Sequence, residues 1–194
     1  MDIYFATTNP GKVESLRRDL EKYDIRIIQQ PIDLTEPRSS DVVEIAKSKI
    51  EQAYAQIQKP TIVIDAGFYI DDLNGFPKAF VNFALETIGL DGILTLVKGK
   101  SRQCEFRECL AYMDETLTEP KYFITHVKGR LSESKRGTMQ KHMWSVLGLI
   151  FIPDGSDKTL GEMTPAEYSE WRKHSRGKNA LGEQLYAWIS SRDK

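Results

Sequence analysis

The opening twenty residues or so constrain the fold most. Ile3-Tyr4-Phe5-Ala6 is an apolar run of buried-strand character. Thr7-Thr8-Asn9-Pro10-Gly11-Lys12 follows at once, and Val13, Leu16 and Leu20 then repeat at helical spacing. A buried strand that passes through a tight polar turn into an amphipathic helix is the beginning of an α/β unit. The junction also aims helix N–H groups and the positive end of the helix dipole at one point, and Lys12 adds a mobile cation there. A phosphate chain suits that chemistry; an ordinary strand-to-helix turn has the same spacing. The segment is not the GxxxxGK[ST] loop, so the general nucleotide motif does not apply.

The 194-residue chain is long enough to bury a real core, as one domain spanning 1–194, if need be with two lobes. Its apolar fraction of 40% and charged fraction of 28% belong to a globular protein. A net charge of −1 supplies no basic field for duplex nucleic acid, so no nucleic-acid partner is expected. No apolar run approaches the roughly 20 residues that span a bilayer, and no signal-peptide pattern is present, so no membrane partner is expected. Cys104 and Cys109, the only cysteines, lie five residues apart in a predicted strand and point to opposite faces. Neither a disulfide nor a shared metal is expected from them, and the expected compartment is a reducing cytoplasm.

Further along, Ile25–Ile28 reads as a second strand. Asp41 with Glu44 has the pattern of a capping box, and Val43, Ala46, Ile50, Ala53 and Ile57 predict a helix to about Gln58. Thr61–Ile64 reads as a central strand that ends at Asp65, and Phe68–Asp72 with Asn74-Gly75 as a short hairpin. Ile93, Leu94 and Val97 mark another helix. From Arg102 the period becomes alternating: Cys104, Phe106, Leu110 and Tyr112 share a strand face on which Glu108 is the exception, and Tyr122–Lys128 is a matching strand. Gly148–Ile152 reads as a third strand of this group. Thr164-Pro165 with Glu167 starts one helix, and Ala180, Leu181, Leu185, Trp188 and Ile189 belong to the last. The fold class is α/β, a long mixed sheet with helices on its faces.

Among titratable groups, Asp65 stands out, placed at an expected strand end just before Ala66-Gly67. Ligands of open α/β sheets bind at such ends, where the Thr7–Lys12 turn also lies. A carboxylate beside a phosphate cradle is how Mg²⁺ is commonly held, with one or two carboxylates and substrate oxygens. Glu36 and Glu44 are the candidates for a second ligand; a turn-forming Asp65 and a helix-capping Glu44 are the plainer readings. A second cluster, Arg172-Lys173-His174-Ser175-Arg176-Gly177-Lys178-Asn179, could clamp phosphates or a base edge, or form a solvated connection between helices. His126 reads as a strand residue and His142 as a loop residue or ligand contact. No zinc site and no Ser-His-Asp or Cys-His spacing is legible.

Four segments, in order along nearly the whole chain, resemble the inosine triphosphate pyrophosphatase family, which removes non-standard purine nucleoside triphosphates such as ITP, dITP and XTP. Thr7-Thr8-Asn9-Pro10-Gly11-Lys12 is similar to its T-x-N-x-x-K segment. Ile64-Asp65-Ala66-Gly67-Phe68 with Leu73-Asn74-Gly75-Phe76-Pro77 resembles E-D-S-G-L…L-x-G-x-P. Phe151-Ile152-Pro153-Asp154-Gly155, then Lys158-Thr159 and Glu162-Met163-Thr164, matches the run after its last sheet strand. His174-Ser175-Arg176-Gly177-Lys178 resembles S-H-R-G-[KR]. The resemblance implies an elongated mixed sheet with two α/β lobes around a cleft, commonly a homodimer. It also implies Mg²⁺-dependent hydrolysis of nucleoside triphosphates to monophosphate and pyrophosphate. Carried over by position, Asp65 is metal ligand and general base and Glu36 the second metal carboxylate. Thr7, Thr8, Asn9, Lys12 and Ala66 belong to the substrate site, as do His174, Ser175 and Arg176 of the signature.

The chain departs from the pattern in places that cluster. Ile64 stands where the family has an acid and Ala66 where it has a serine. Pro77-Lys78-Ala79-Phe80-Val81 lacks the glycine and serine of P-G-x-x-S, histidine and serine are exchanged at His174-Ser175, and Asn179 is an insertion. The base-reading stretch is replaced by Met139–Leu149, about four residues longer than the pattern. Trp144 is its candidate stacking residue. A site that loses partners for a base edge loses discrimination for that base. The expectation is a pyrophosphohydrolase with base specificity altered from ITP, dITP and XTP; the alternative is a catalytically silent nucleotide-binding paralogue.

Overall fold

The computed structural model describes residues 1–192. In chain order the elements are β1 (Asp2–Ala6), α1 (Pro10–Leu20), β2 (Arg26–Gln30), α2 (Val42–Ile57), β3 (Thr61–Ile70), β4 (Pro77–Lys78), α3 (Val81–Thr87) and α4 (Gly89–Leu96). Then follow β5 (Gln103–Met113), β6 (Lys121–Leu131), β7 (Phe151–Pro153), α5 (Pro165–Ser175) and α6 (Leu181–Arg192). The strands form one mixed, seven-stranded sheet in the order β2-β1-β3-β5-β6-β7, with β4 paired to β3. β1 runs parallel to β2 and β3, with Ile3 opposite Ile27 and Phe5 opposite Ile62. β6 and β7 are antiparallel, Arg130 opposite Ile152. This is the α/β mixed sheet that the alternation of strand and helix patterns predicts.

The chain forms two compact units. The first comprises Met1–Asp65, Glu108–Thr125 and the chain from Lys178 onward; the second comprises Ala66–Arg107 and His126–Gly177. In the first, the helical stripe of α1 (Val13, Leu16, Leu20) meets Leu181 and Leu185 of α6 over Ile3, Phe5, Ile62, Leu110, Tyr112 and Phe123 of the sheet. Met113 and Tyr122, next to Tyr112 and Phe123 and so on the opposite face, line a cavity with Val43, Lys47 and Tyr54 of α2. The sheet of this unit therefore has helices on both faces, as continuous apolar strands require. In the second unit, Phe68, Phe106 and Phe151 pack with centroids 4.7 to 5.9 Å apart, joined by Ile93, Val97, Val127 and Leu147. Each aromatic pair adds about 0.5–1.5 kcal/mol beyond the area it buries.

Three local expectations are corrected, and one helix is added. The strand expected to stop at Asp65 continues to Ile70, so Asp65 lies mid-strand. Gly67 permits this: a Cβ there would sit 2.9 Å from the Lys78 carbonyl oxygen and 2.8 Å from Tyr69 Cε2, so it marks the close approach of β4 rather than a turn. The hairpin beyond it turns as expected, through Asn74 and Gly75 in the left-handed region. Asp41 caps α2 by accepting from the Val43 N–H at 2.8 Å, but Glu44 accepts from Ser39 Oγ at 2.7 Å and completes no capping box. Gly148–Ile152 is not one strand: Val146–Leu149 is a 3₁₀ turn and β7 begins at Phe151. Finally, α3 has no counterpart in the sequence reading, because its Phe83 is 65% exposed and its pattern does not announce an inner face. The start of α5 is as expected, with Thr164 and Glu167 in a reciprocal capping box after which Pro165 begins the helix.

Candidate functional site

The turn after β1 is fixed by its own polar groups. Thr7 Oγ1 accepts from the Asn9 N–H at 3.1 Å, and Asn9, the N-cap of α1, accepts from the Lys12 N–H at 3.2 Å. Gln29 on β2 donates to the Thr7 carbonyl at 3.1 Å. Thr8 lies exposed at the apex. From the first turn of α1, Lys12 reaches back over the sheet and donates from Nζ to the Ile64 carbonyl at 3.0 Å. That contact brings the turn to β3 one residue before Asp65.

On β3, Asp65 is 7% exposed. Lys49 of α2 donates from Nζ to Asp65 Oδ1 at 3.2 Å and to Glu36 Oε1 at 2.7 Å, so one ammonium joins the two carboxylates. The other candidate ligand, Glu44, is turned to Ser39. Burial pushes the Asp65 carboxyl above its ordinary range, and Lys49 and Lys12 offset this only in part. Burial holds Lys12 below the ordinary lysine value, with Asp65 pulling the other way. For Lys49 burial acts downward too, but Asp65 and Glu36 outweigh it and its pKa is raised. Among the described residues no three His, Cys, Asp or Glu side chains gather for a metal. Two carboxylates that share one ammonium are nevertheless a suitable partial ligand set for Mg²⁺, which takes one or two carboxylates and completes its shell with substrate oxygens and water.

The remaining candidates, Ala66, Trp144, His174, Ser175 and Arg176, lie in the second unit. Ala66 follows Asp65 on β3 and brings no hydroxyl. Trp144, half-buried, packs against that unit's core, edge-on to Phe106 at 5.5 Å. His174 and Ser175 are exposed on the last turn of α5, and His174 Nδ1 donates to the Glu170 carbonyl at 2.8 Å. Arg172 and Arg176 are buried, so the basic cluster is not simply a solvated connection. Arg172 donates to the Tyr168 hydroxyl at 3.3 Å, and His142 stacks on the Tyr168 ring at 4.2 Å. His142 Nε2 donates to the Leu160 carbonyl at 3.0 Å, which ties the replaced stretch to the segment before α5.

Lys49 is the charged group of this array that pattern reading passes over. Its signal is there: it falls four residues after Ile45 and four before Ala53, inside the buried stripe of α2. A cation at such a position needs a counter-charge at the sheet. Glu108, buried among apolar neighbours of β5, is a second such signal.

Comparison with known proteins agrees with the resemblance carried by the motifs. The model of the Ham1 family matches residues 3–184. A dITP/XTP pyrophosphatase of Pyrococcus horikoshii is 32% identical over 187 residues, 95% of this chain and 97% of its own length. One from Saccharolobus solfataricus is 32% identical over 183 residues, 94% of this chain and 92% of its own. In structure, the Ham1 protein of Staphylococcus aureus superimposes with a TM-score of 0.77 at 22% identity, covering 99% of this chain and 100% of that one. A HAM1 protein from Coxiella burnetii gives 0.78 at 23%, covering 98% and 99%.

Proposed function

Because the chain belongs to the Ham1 family, we propose that it is a nucleoside triphosphate pyrophosphohydrolase, cutting between the α- and β-phosphates to release a nucleoside monophosphate and pyrophosphate. The observation that carries this reading is the array on the first unit: buried Asp65 joined through Lys49 to Glu36, with the Lys12 ammonium on the neighbouring carbonyl. The relatives named dITP/XTP pyrophosphatases support the same reaction class.

The chemistry follows from the residues. A carboxyl held up by burial is a better proton acceptor than an ordinary aspartate, so Asp65 takes the proton of the attacking water. The water oxygen bonds to the α-phosphorus, and the bond to the bridging oxygen breaks as pyrophosphate leaves. Lys12 and Lys49 neutralise phosphate charge, and Asn9 with Thr7 and Thr8 shapes the turn at the head of α1. Glu36 and Asp65 would hold Mg²⁺, whose contribution when bound is further neutralisation of phosphate charge. By position in the family pattern, Ala66, His174, Ser175 and Arg176 are the substrate-binding residues of the second unit, and Trp144 is the stacking residue of the stretch that replaces the base-reading one. Because Met139–Leu149 replaces the family's base-reading stretch, base selectivity differs from that of the dITP/XTP enzymes. The active form is a homodimer.

One observation favours a second reading, a nucleotide-binding protein without turnover. Lys49 already satisfies both carboxylates, while Ile64 and Ala66 supply neither the acid nor the hydroxyl of the family pattern. A panel of standard and non-standard NTPs and dNTPs, assayed for pyrophosphate release with Mg²⁺, separates the two. Turnover with at least one is expected. Nucleotide binding by calorimetry with no release from any member selects the silent protein instead.

A further inference from the structure

Glu108 has no part in the reaction as proposed, yet it is the one charged residue in the fully buried stretch Glu108–Tyr112 of β5. Strand period places its side chain on the face of Leu110 and Tyr112, which pack against Val13 and Leu16 of α1. β3 is the neighbouring strand, and Ile64 packs against that same core. The Ile64 carbonyl is where the Lys12 ammonium lands. Glu108 and the tip of Lys12 therefore lie over adjacent strands on one face, withdrawn from water, and the carboxylate stabilises the ammonium electrostatically. Asp65, bonded to Lys49 of α2, also draws on the Lys12 ammonium, and more strongly than Glu108 does. A carboxylate is costly in such a place unless a cation answers it.

We propose that Glu108 is a positioning residue for Lys12: an internal anion that holds the phosphate-binding ammonium and with which phosphate must compete. The inference rests on the reading of Lys12 as a phosphate ligand. At low effective dielectric two anions cannot both draw fully on one ammonium, and they repel each other. Glu108 thus loosens the grip on pyrophosphate, the product that has to leave.

The test is calorimetric titration of inorganic pyrophosphate, with chelator present, into the wild-type protein and into E108Q, E108D and K12M. E108Q keeps the volume and removes the charge, and binds pyrophosphate about tenfold more tightly, the lower range of coupling seen for close charge pairs. E108D keeps the charge and stays within about threefold of wild type. A purely structural role would leave E108Q no tighter than wild type, and affinity equal to or weaker than wild type overturns the inference. Loss of binding in K12M is required by the phosphate reading; a K12M protein that binds as well as wild type removes that reading itself. Should E108Q fail to fold, E108M, similar in volume and uncharged, is expected to bind more tightly in the same way, and its failure to do so is equally decisive.

Discussion

Replacing Asp65 with asparagine separates its chemistry from its place in the fold. The side chain is almost completely buried, and Lys49 donates to it at 3.2 Å, a bond the asparagine oxygen can still accept. Burial raises the folded-state pKa above the ordinary 3.8. Between those two values the folded chain binds more protons than the unfolded one, so stability falls as pH rises through the window. At pH 7 the ionised carboxylate is a net cost, which asparagine removes, set against a weaker bond to Lys49. The two nearly cancel, and the melting temperature moves by no more than about 3 °C, roughly 1 kcal/mol for a chain of this size. The rate behaves differently. Without a proton acceptor at that position, kcat falls by about 10²–10⁴-fold. Steady-state pyrophosphate release with Mg²⁺ and the best nucleotide of the panel measures the first quantity, and calorimetric melts at pH 7 measure the second. A variant that keeps kcat within about threefold of wild type refutes the general-base role. A melting temperature lowered by about 8 °C or more refutes the electrostatic argument, since it would mean that the charge stabilises the fold.

Three further outcomes are expected. Burial pushes the Asp114 carboxyl up, but hydrogen bonds from Thr116 at 2.6 and 2.9 Å, Tyr112 at 2.8 Å and Arg192 at 2.9 Å outweigh it and hold the pKa at about 2, below the ordinary 3.8. Its contribution is present above about pH 4 and lost as pH falls toward 2, so urea midpoints of wild type and D114N should converge over that interval; a constant gap speaks against it. Gly67→Ala forces a Cβ to 2.9 Å from the Lys78 carbonyl oxygen and should cost about 1–3 kcal/mol in chemical denaturation, whereas a neutral result would mean that β4 yields freely. Thr164→Ala removes the side-chain half of the α5 capping box, leaving the backbone N–H of residue 164 on Glu167, and should cost about 0.5–2 kcal/mol by the same measurement.

What could be read from the sequence was local. The junction of β1 and α1, the Asp41 cap of α2, the capping box of α5 and the alternation in β5 and β6 each depend on neighbours along the chain, and they fold as their patterns require. The turn read at Gly67 does not form because a glycine after an apolar run also marks a close approach, and only the position of β4 decides between them. Glu36 and Glu44 are alike by spacing for the same reason: Glu36 pairs with Lys49 and Glu44 with Ser39, partners that spacing does not identify. Lys49 itself is not legible because a lysine on a helix is usually solvated, and its burial depends on the strand beneath it. The same holds for α3, whose phenylalanine points outward and gives no period to follow.

The course of β3 straight through Asp65 has a consequence for how such a protein can diversify. Residues of the strand precede and follow it without interruption from Thr61 to Ile70, so the carboxylate is carried by strand backbone rather than by a loop. Insertions and exchanges in the stretch 139–149 fall elsewhere along the chain and leave that anchor unaltered. Under the proposed function, lineages can therefore vary the stretch that meets the base while the carboxylate of Asp65 stays in register, and drift in selectivity need not pass through a dead enzyme.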